Sequence, residues 1–237
     1  MERCDVEKRS KDNQSGSSRD RLICSAERLF SKQGFDGVSV RDIANDAKVN
    51  SALVGYYFGS KEGLLSEVYT RHCEPLKRDR ARLLADCSNT PKGPTLEQVI
   101  EAFVRPSLEV TTDHRGHSDS TRLRAVLAVE NSAPLEQLVA KNFDQSSRIF
   151  VAALCKCLPD LSRDEVLWRF HFLLGTVYYT AAGPHRIKSL SQGRCDPSDP
   201  VATTQRLIPF LAAEFRAPKV AKYPISASKR SKANTSR

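Results

Sequence analysis

Ser39-Val40-Arg41-Asp42-Ile43-Ala44-Asn45-Asp46-Ala47-Lys48-Val49-Asn50-Ser51-Ala52-Leu53-Val54-Gly55-Tyr56-Tyr57-Phe58 is the stretch on which the reading of this chain turns. Ser39 stands at a position suited to capping a short helix, Val40 to Ala47, whose Ile43, Ala44 and Ala47 share one face. Lys48-Val49-Asn50 makes a turn, and Asn50 caps a second short helix ending near Phe58. Two short helices joined so tightly form a helix-turn-helix, in which the first helix crosses a nucleic-acid backbone and the second enters the major groove. The outer face of the second helix then needs small or polar residues, which Asn50, Ser51, Ala52 and Gly55 provide. Its inner face needs apolar anchors, and Val54 and Phe58 provide those. Ser39, Arg41, Tyr57 and Lys61 stand at the rim as phosphate donors. The plainer reading of the same spacing is a trihelical core with a solvated face.

Upstream, Leu22, Ile23, Ala26, Leu29 and Phe30 repeat at helical spacing and Gly34 closes the segment, so a helix is expected over Arg19–Gly34. Residues 1–18 are polar and read as a disordered arm. Downstream, Ser60 caps a long helix from Lys61 to near Cys87 with Pro75 inside it, a residue that removes one backbone donor and favours a bend. Further helices are expected near 95–110, 119–131, 135–158, 162–182 and 199–215, with a loop over 183–198. No alternating run long enough for a strand occurs, so the fold class is all-α. The domains expected are the arm, a DNA-binding domain over 19–66, a helical ligand-binding and dimerisation domain over 67–215, and a basic tail over 216–237.

The 237 residues, 40% of them apolar and 27% charged, suffice for a buried core. Phe172–Gly183, the longest nearly uncharged apolar run, is shorter than the roughly 20 residues a membrane span requires. The polar N-terminus and seven unpatterned cysteines argue for a reduced, cytoplasmic chain with no membrane partner. The net charge of +9 says little about binding, because seven basic residues and no acidic ones lie in the tail from Arg216 to Arg237.

Three blocks carry a more specific signal: Ala26-Glu27-Arg28-Leu29-Phe30-Ser31-Lys32-Gln33-Gly34-Phe35, then Ser39-Val40-Arg41-Asp42-Ile43-Ala44, then Tyr57-Phe58-Gly59-Ser60-Lys61-Glu62. In this order and at these separations, Arg19 to Val68 resembles the N-terminal domain of TetR-type transcriptional repressors. The resemblance implies a homodimer on a double-stranded DNA operator. Ser51, Ala52, Leu53 and Tyr56 would meet the groove, and Ser39, Arg41, Tyr57 and Lys61 the phosphates. Two positions depart from the family pattern. Lys48 stands where glycine is usual, in a turn position that tends to be left-handed, at a cost of about 1 kcal/mol that a phosphate contact by its ammonium would partly offset. Gly55 stands where an aromatic residue is usual.

The blocks Glu165-Val166-Leu167-Trp168-Arg169-Phe170-His171-Phe172-Leu173-Leu174-Gly175 and Arg206-Leu207-Ile208-Pro209-Phe210-Leu211-Ala212-Ala213 are similar to the fatty-acid-responsive branch of that family. The segment 166–179 is apolar nearly all round and must be buried on several sides, in its own core or in a dimer. Trp168, Phe172, Tyr179, Leu207, Leu211 and Phe215 are the expected dimer contacts. Phe103, Leu108, Leu123, Leu127, Phe170 and Leu174 are the expected wall for a small apolar ligand, although plain core is the more ordinary role for such residues. An anionic headgroup could use Arg122 or Arg169, although a solvated arginine is the more ordinary role, and His171 reads as a core histidine.

Catalysis and metal binding are not expected, and no cofactor is. The chain has no phosphate-binding glycine loop, nucleophile elbow or HExxH motif, and Cys155 and Cys157 point apart on a helix. The competing reading keeps DNA binding but gives the second half only dimerisation, with control by a protein partner or none.

Overall fold

The computed structural model describes residues 3–109, 123–127, 130, 133–182 and 184–219, and helices make up the architecture, with no strand among the described residues. The helices are α1 (Arg3–Gln33), α2 (Val40–Ala47), α3 (Ala52–Phe58), α4 (Lys61–Ser88), α5 (Leu96–Leu108), α6 (Ala133–Cys157), α7 (Arg163–Ala182), α8 (Pro184–Leu190) and α9 (Pro200–Arg216). A helical stretch at 123–127 lies between α5 and α6.

Local chemistry sets most boundaries. Gly34, at φ 74°, ends α1 where a side chain would strain the backbone. Ser39, Ser60, Thr95 and Asp199 each accept a backbone N–H of the helix they precede. Two elements differ from expectation. Helix α1 begins at Arg3 and takes in most of the segment read as an arm. No proline stands before Arg19, so the backbone continues without a break once the buried face from Leu22 onward is nucleated. Helix α8 forms within the expected loop, where Pro184 suits a first helical turn.

Two apolar clusters divide the interior. The first gathers Leu22, Ile23, Phe30, Ile43, Val54, Leu64 and Val68, then continues past Ser66 to Tyr69, Cys73, Leu76, Leu123, Leu127 and Phe143. The second gathers Leu84, Val99, Ile100, Phe103, Phe150, Val166, Phe170, Leu173, Leu211 and Phe215. Helix α4 contributes to both, and its continuity through Pro75 makes it the beam between them. Arg28 and Asp46 pair between α1 and α2, while Arg19 reaches Glu67 of α4 at 2.8 Å. No helix among the described residues is long and apolar enough to cross a membrane.

Candidate nucleic-acid interface

The α2–turn–α3 unit is built from contacts between near neighbours. Ser39 Oγ accepts the Asp42 N–H at 3.2 Å, while the Asp42 carboxylate accepts the Ser39 N–H at 2.9 Å and its hydroxyl at 2.6 Å. This reciprocal box is more than the simple cap that Ser39 suggests. The Ser39 hydroxyl followed by its backbone N–H holds the Asp42 carboxyl below the usual carboxylate range. A folded-state value lowered in this way stabilises above the unfolded carboxylate pKa, and that contribution fades as acidification protonates Asp42.

After α2 the chain reverses at Lys48, whose φ 54° and ψ 49° place it in the left-handed region. The departure from glycine therefore keeps the turn geometry and carries its strain, about 1 kcal/mol. The Lys48 side chain is exposed beside α3. Asn50 Oδ1 accepts the Ala52 N–H at 2.8 Å, so Asn50 starts α3 although the residue directly before the helix is Ser51.

On α3, Val54 is buried, Leu53 and Phe58 pack against the first cluster, and Ser51, Ala52, Gly55 and Tyr56 face outward. Tyr56 is 80% exposed, an unusual position for a large aromatic residue without a partner. A Cβ added at Gly55 would meet nothing within 4 Å, so packing does not require glycine there and the outer face stays shallow. Tyr57 is half-buried, with its ring edge-on to Tyr56 at 5.0 Å. Arg41 is exposed at the rim.

Lys61 has another task. Its Nζ donates to the carbonyls of Phe35 at 3.0 Å and Val38 at 2.9 Å and lies 4.0 Å from the centre of the Phe35 ring. Two of its three donors are thus spent fastening α4 to the loop before α2. The same loop is gripped from the second half of the chain. Both oxygens of Glu130 accept the Phe35 N–H at 2.9 Å, and one also accepts the Asp36 N–H at 3.1 Å. A Cβ at Gly34 would come within 3.0 Å of that carboxylate. No sequence signal marks Glu130, because its partners lie 94 and 95 residues away.

The expected ligand wall is not gathered in one place. Leu123 and Leu127 belong to the first cluster, whereas Phe103, Leu108 and Phe170 belong to the second, with Leu174 packed at its edge. Phe103 packs edge-on to Phe150 and Phe170 at 5.0 and 5.1 Å. Apolar periodicity marks burial but cannot tell which cluster a stripe joins.

The expected dimer contacts also separate. Trp168, Phe172 and Tyr179 of α7 are 61%, 53% and 65% exposed, and Leu167 joins them. Leu207, Leu211 and Phe215, by contrast, are buried within the protomer in the cluster that holds α5. Their stripe on α9 is consumed at home, and Val201 and Phe210 are the large apolar residues that helix exposes. His171 is exposed beside Trp168 and is not a core histidine.

Arg169 is likewise not placed for a headgroup. Its Nη1 donates to the carbonyls of Glu214, Phe215 and Ala217 at 3.0, 2.8 and 2.9 Å, and its Nη2 reaches Glu165 at 2.9 Å. It caps the last turn of α9, where a cation also suits the helix dipole. Arg122 lies outside the described residues. Arg216, the first residue of the expected tail, ends α9 and pairs with Glu97 at 2.5 Å; residues 220–237 lie outside the description. Burial pushes the Cys73 thiol up to about 12, the opposite of a reactive thiolate.

An exposed short helix mounted on a tight turn, with cations at its rim, defines a DNA-binding protein of the helix-turn-helix class. Residues 22–68 match the family described as bacterial regulatory proteins, tetR family. Residues 101–213 match the tetracyclin repressor-like C-terminal domain. The HTH-type transcriptional regulator YttP of Bacillus subtilis (strain 168) is 33% identical over 121 residues, which cover 47% of this chain and 56% of that protein. The chain thus spans about half the length of that curated relative. A TetR-family regulator from Bordetella parapertussis 12822 superposes with a TM-score of 0.61 at 21% identity, covering 85% of this chain and 98% of the other. FadR from Bacillus subtilis, solved in complex with stearoyl-CoA, gives a TM-score of 0.56 at 17% identity, covering 81% and 97%. The chain belongs to the TetR-type transcriptional regulators.

Proposed function

We propose that the protein is a homodimeric repressor that holds a palindromic operator with two copies of α3 and releases it when a small apolar ligand binds the second half. The observation that carries this reading is the outward face of α3, with Tyr56 80% exposed on a helix locked from behind by Val54. Ser51, Ala52, Leu53 and Tyr56 are the proposed groove contacts. Arg41, Lys48 and Tyr57 are the proposed phosphate contacts, with Ser39 and Lys61 chiefly shaping the loop beside them. Trp168, Phe172 and Tyr179 fall on the exposed side of α7 at positions i, i+4 and i+11, the face a second copy would cover. Ligand control draws support from the stearoyl-CoA bound by the structurally similar FadR. Helix α4 supports it too, since it enters both clusters and would carry a change in one to the other.

Two half-sites on one face of B-DNA lie about 34–36 Å apart, so a ligand that prefers a different separation weakens binding. A 100-fold release requires it to favour the non-binding state by about 2.7 kcal/mol. The test is selection of duplexes from a random pool, followed by titration of the enriched sequence. Palindromes are expected. Tyr56→Ala should weaken binding at least tenfold without moving the unfolding midpoint, and a double Trp168→Glu, Phe172→Glu change should yield monomers that lose the operator. Failure of the wild-type protein to enrich any palindrome rejects the reading.

A further inference from the structure

Helix α8 and the turn after it form a tightly bonded arm that the protomer leaves uncovered. The Ser191 N–H donates to the Ile187 carbonyl at 2.9 Å, and the Gly193 N–H donates to the Lys188 carbonyl at 2.8 Å. Ser191 Oγ accepts the Cys195 N–H at 2.9 Å, and Lys188 Nζ reaches Asp196 at 2.6 Å. Gln192 and Gly193 follow at φ 54° and 82°, a left-handed conformation that strains a residue with a side chain. Yet every residue from His185 to Leu190 is exposed. Ile187 and Leu190, three apart and so on one side of the helix, are 42% and 69% exposed. A helix this short is marginal by itself, and exposed apolar side chains do nothing to offset the cost of ordering it. The bonds that shape the arm therefore present two apolar side chains that this protomer does not cover.

Exposed apolar residues flank the arm on both sides. Trp168, Phe172 and Tyr179 precede it on α7, and Val201, 63% exposed, follows it at the start of α9. Trp168, Phe172, Gly175 and Tyr179 stand at i, i+4, i+7 and i+11, the spacing of a seam between two helices. A Cβ added at Gly175 would meet nothing within 4 Å, so the seam is shallow there and a second backbone has room to approach. The three aromatic residues, each a little over half exposed, offer roughly 350 Å² at about 150–250 Å² apiece. That is less than half of the about 800 Å² per partner that a stable interface buries. A second copy seated on the α7 seam needs further surface, and the arm is the next exposed apolar surface along the chain.

Charge selects the part of that copy which the arm meets. The sequence carries no carboxylate, ammonium or guanidinium from Phe170 to Ala182. Before this stretch Asp160 and Asp164 are exposed and outnumber Arg163, while Glu165 and Arg169 pair with each other. After it the arm presents Arg186 and Arg194, with Lys188 matched by Asp196. Helix α7 thus has an acidic start, a neutral aromatic middle and a basic end. Two copies laid antiparallel across Phe172 and Gly175 set the basic end of each over the acidic start of the other, whereas a parallel pair sets like charges together. We propose that α8 is an arm that closes over a second copy of this chain, seating Ile187 and Leu190 beside the start of the partner's α7 and Arg186 against Asp160 and Asp164 there. The proposal rests on the homodimer reading above and names the surface that completes the interface.

The experiment is sedimentation equilibrium of the full-length protein at low and at high salt. Ile187→Asp combined with Leu190→Asp should raise the dimer Kd at least tenfold while the far-ultraviolet circular dichroism stays that of the wild type. Arg186→Glu should raise the Kd about fivefold at low salt and less at high salt. Adding Asp160→Lys and Asp164→Lys to Arg186→Glu should bring the low-salt Kd back to within about twofold of the wild type. If the Ile187, Leu190 variant dimerises as tightly as the wild type, the arm lies outside the interface and the proposal is overturned, while the homodimer reading stands. If the arm variants weaken the dimer but the lysine substitutions restore nothing, the seat on Asp160 and Asp164 is overturned. A wild-type protein that stays monomeric at micromolar concentration removes the homodimer reading and the arm together.

Discussion

The DNA-binding head and the second half of this chain are stabilised by contacts of different range. In the head, Ser39 meets Asp42, Asn50 meets Ala52, Ser60 meets Gly63, and Lys48 turns the chain on its own backbone. Every one of these devices acts within a few residues. In the second half, Arg80 reaches Phe103 and Ser107, Arg169 reaches the end of α9 some 45 to 49 residues on, and Arg216 reaches back to Glu97. The caps and turn of the head are set by local contacts, and its distant anchors are Glu130 and the apolar cluster it shares with Leu123, Leu127 and Phe143. A body held together by buried arginines reorganises when one of their partners changes, which is what the proposed ligand control would require.

The largest expected effect tests the distant contacts. Arg169→Met strands three carbonyls at the end of α9 and a carboxylate at Glu165, and should cost about 3 kcal/mol by urea unfolding. A loss under about 1 kcal/mol would erase the contrast between the head and the second half. Glu130→Ala comes next, since it removes the distant polar grip on the Phe35–Asp36 turn. It should lower stability by about 2 kcal/mol and reduce the effect of ligand on operator affinity. Unchanged coupling would show that α4 transmits the signal alone. The smallest effect concerns the turn: Lys48→Gly relieves the left-handed lysine and should raise stability by about 1 kcal/mol, read as a higher thermal midpoint. If operator affinity falls in the same variant, the lysine is retained for its ammonium.

The legibility of the sequence follows the same division. The capped helices α2 and α3, the left-handed position of Lys48, the buried Val54 and the exposed α3 face were all readable, because caps, turns and helical periodicity are short-range properties. The exposed aromatic face of α7 was readable as an excess of apolar residues. The partner of the α9 stripe was not, since Leu207, Leu211 and Phe215 carry the same spacing whether they meet α5 or a second protomer. Arg169 and Lys61 misled for a related reason. A cation in a sequence looks like a ligand for something external until the carbonyls that claim it come into view.

What the order of residues determined alone was an all-α chain and the cap, turn and outer face of a helix-turn-helix, because those depend on neighbours and on one pitch of a helix. Only the tertiary structure decided that Glu130 grips the head, that Arg80 of α4 is claimed by Phe103 and Ser107 of α5, and that the last helix is spent inside its own protomer. Those facts depend on which distant surfaces come together, and no local pattern of residues encodes that choice.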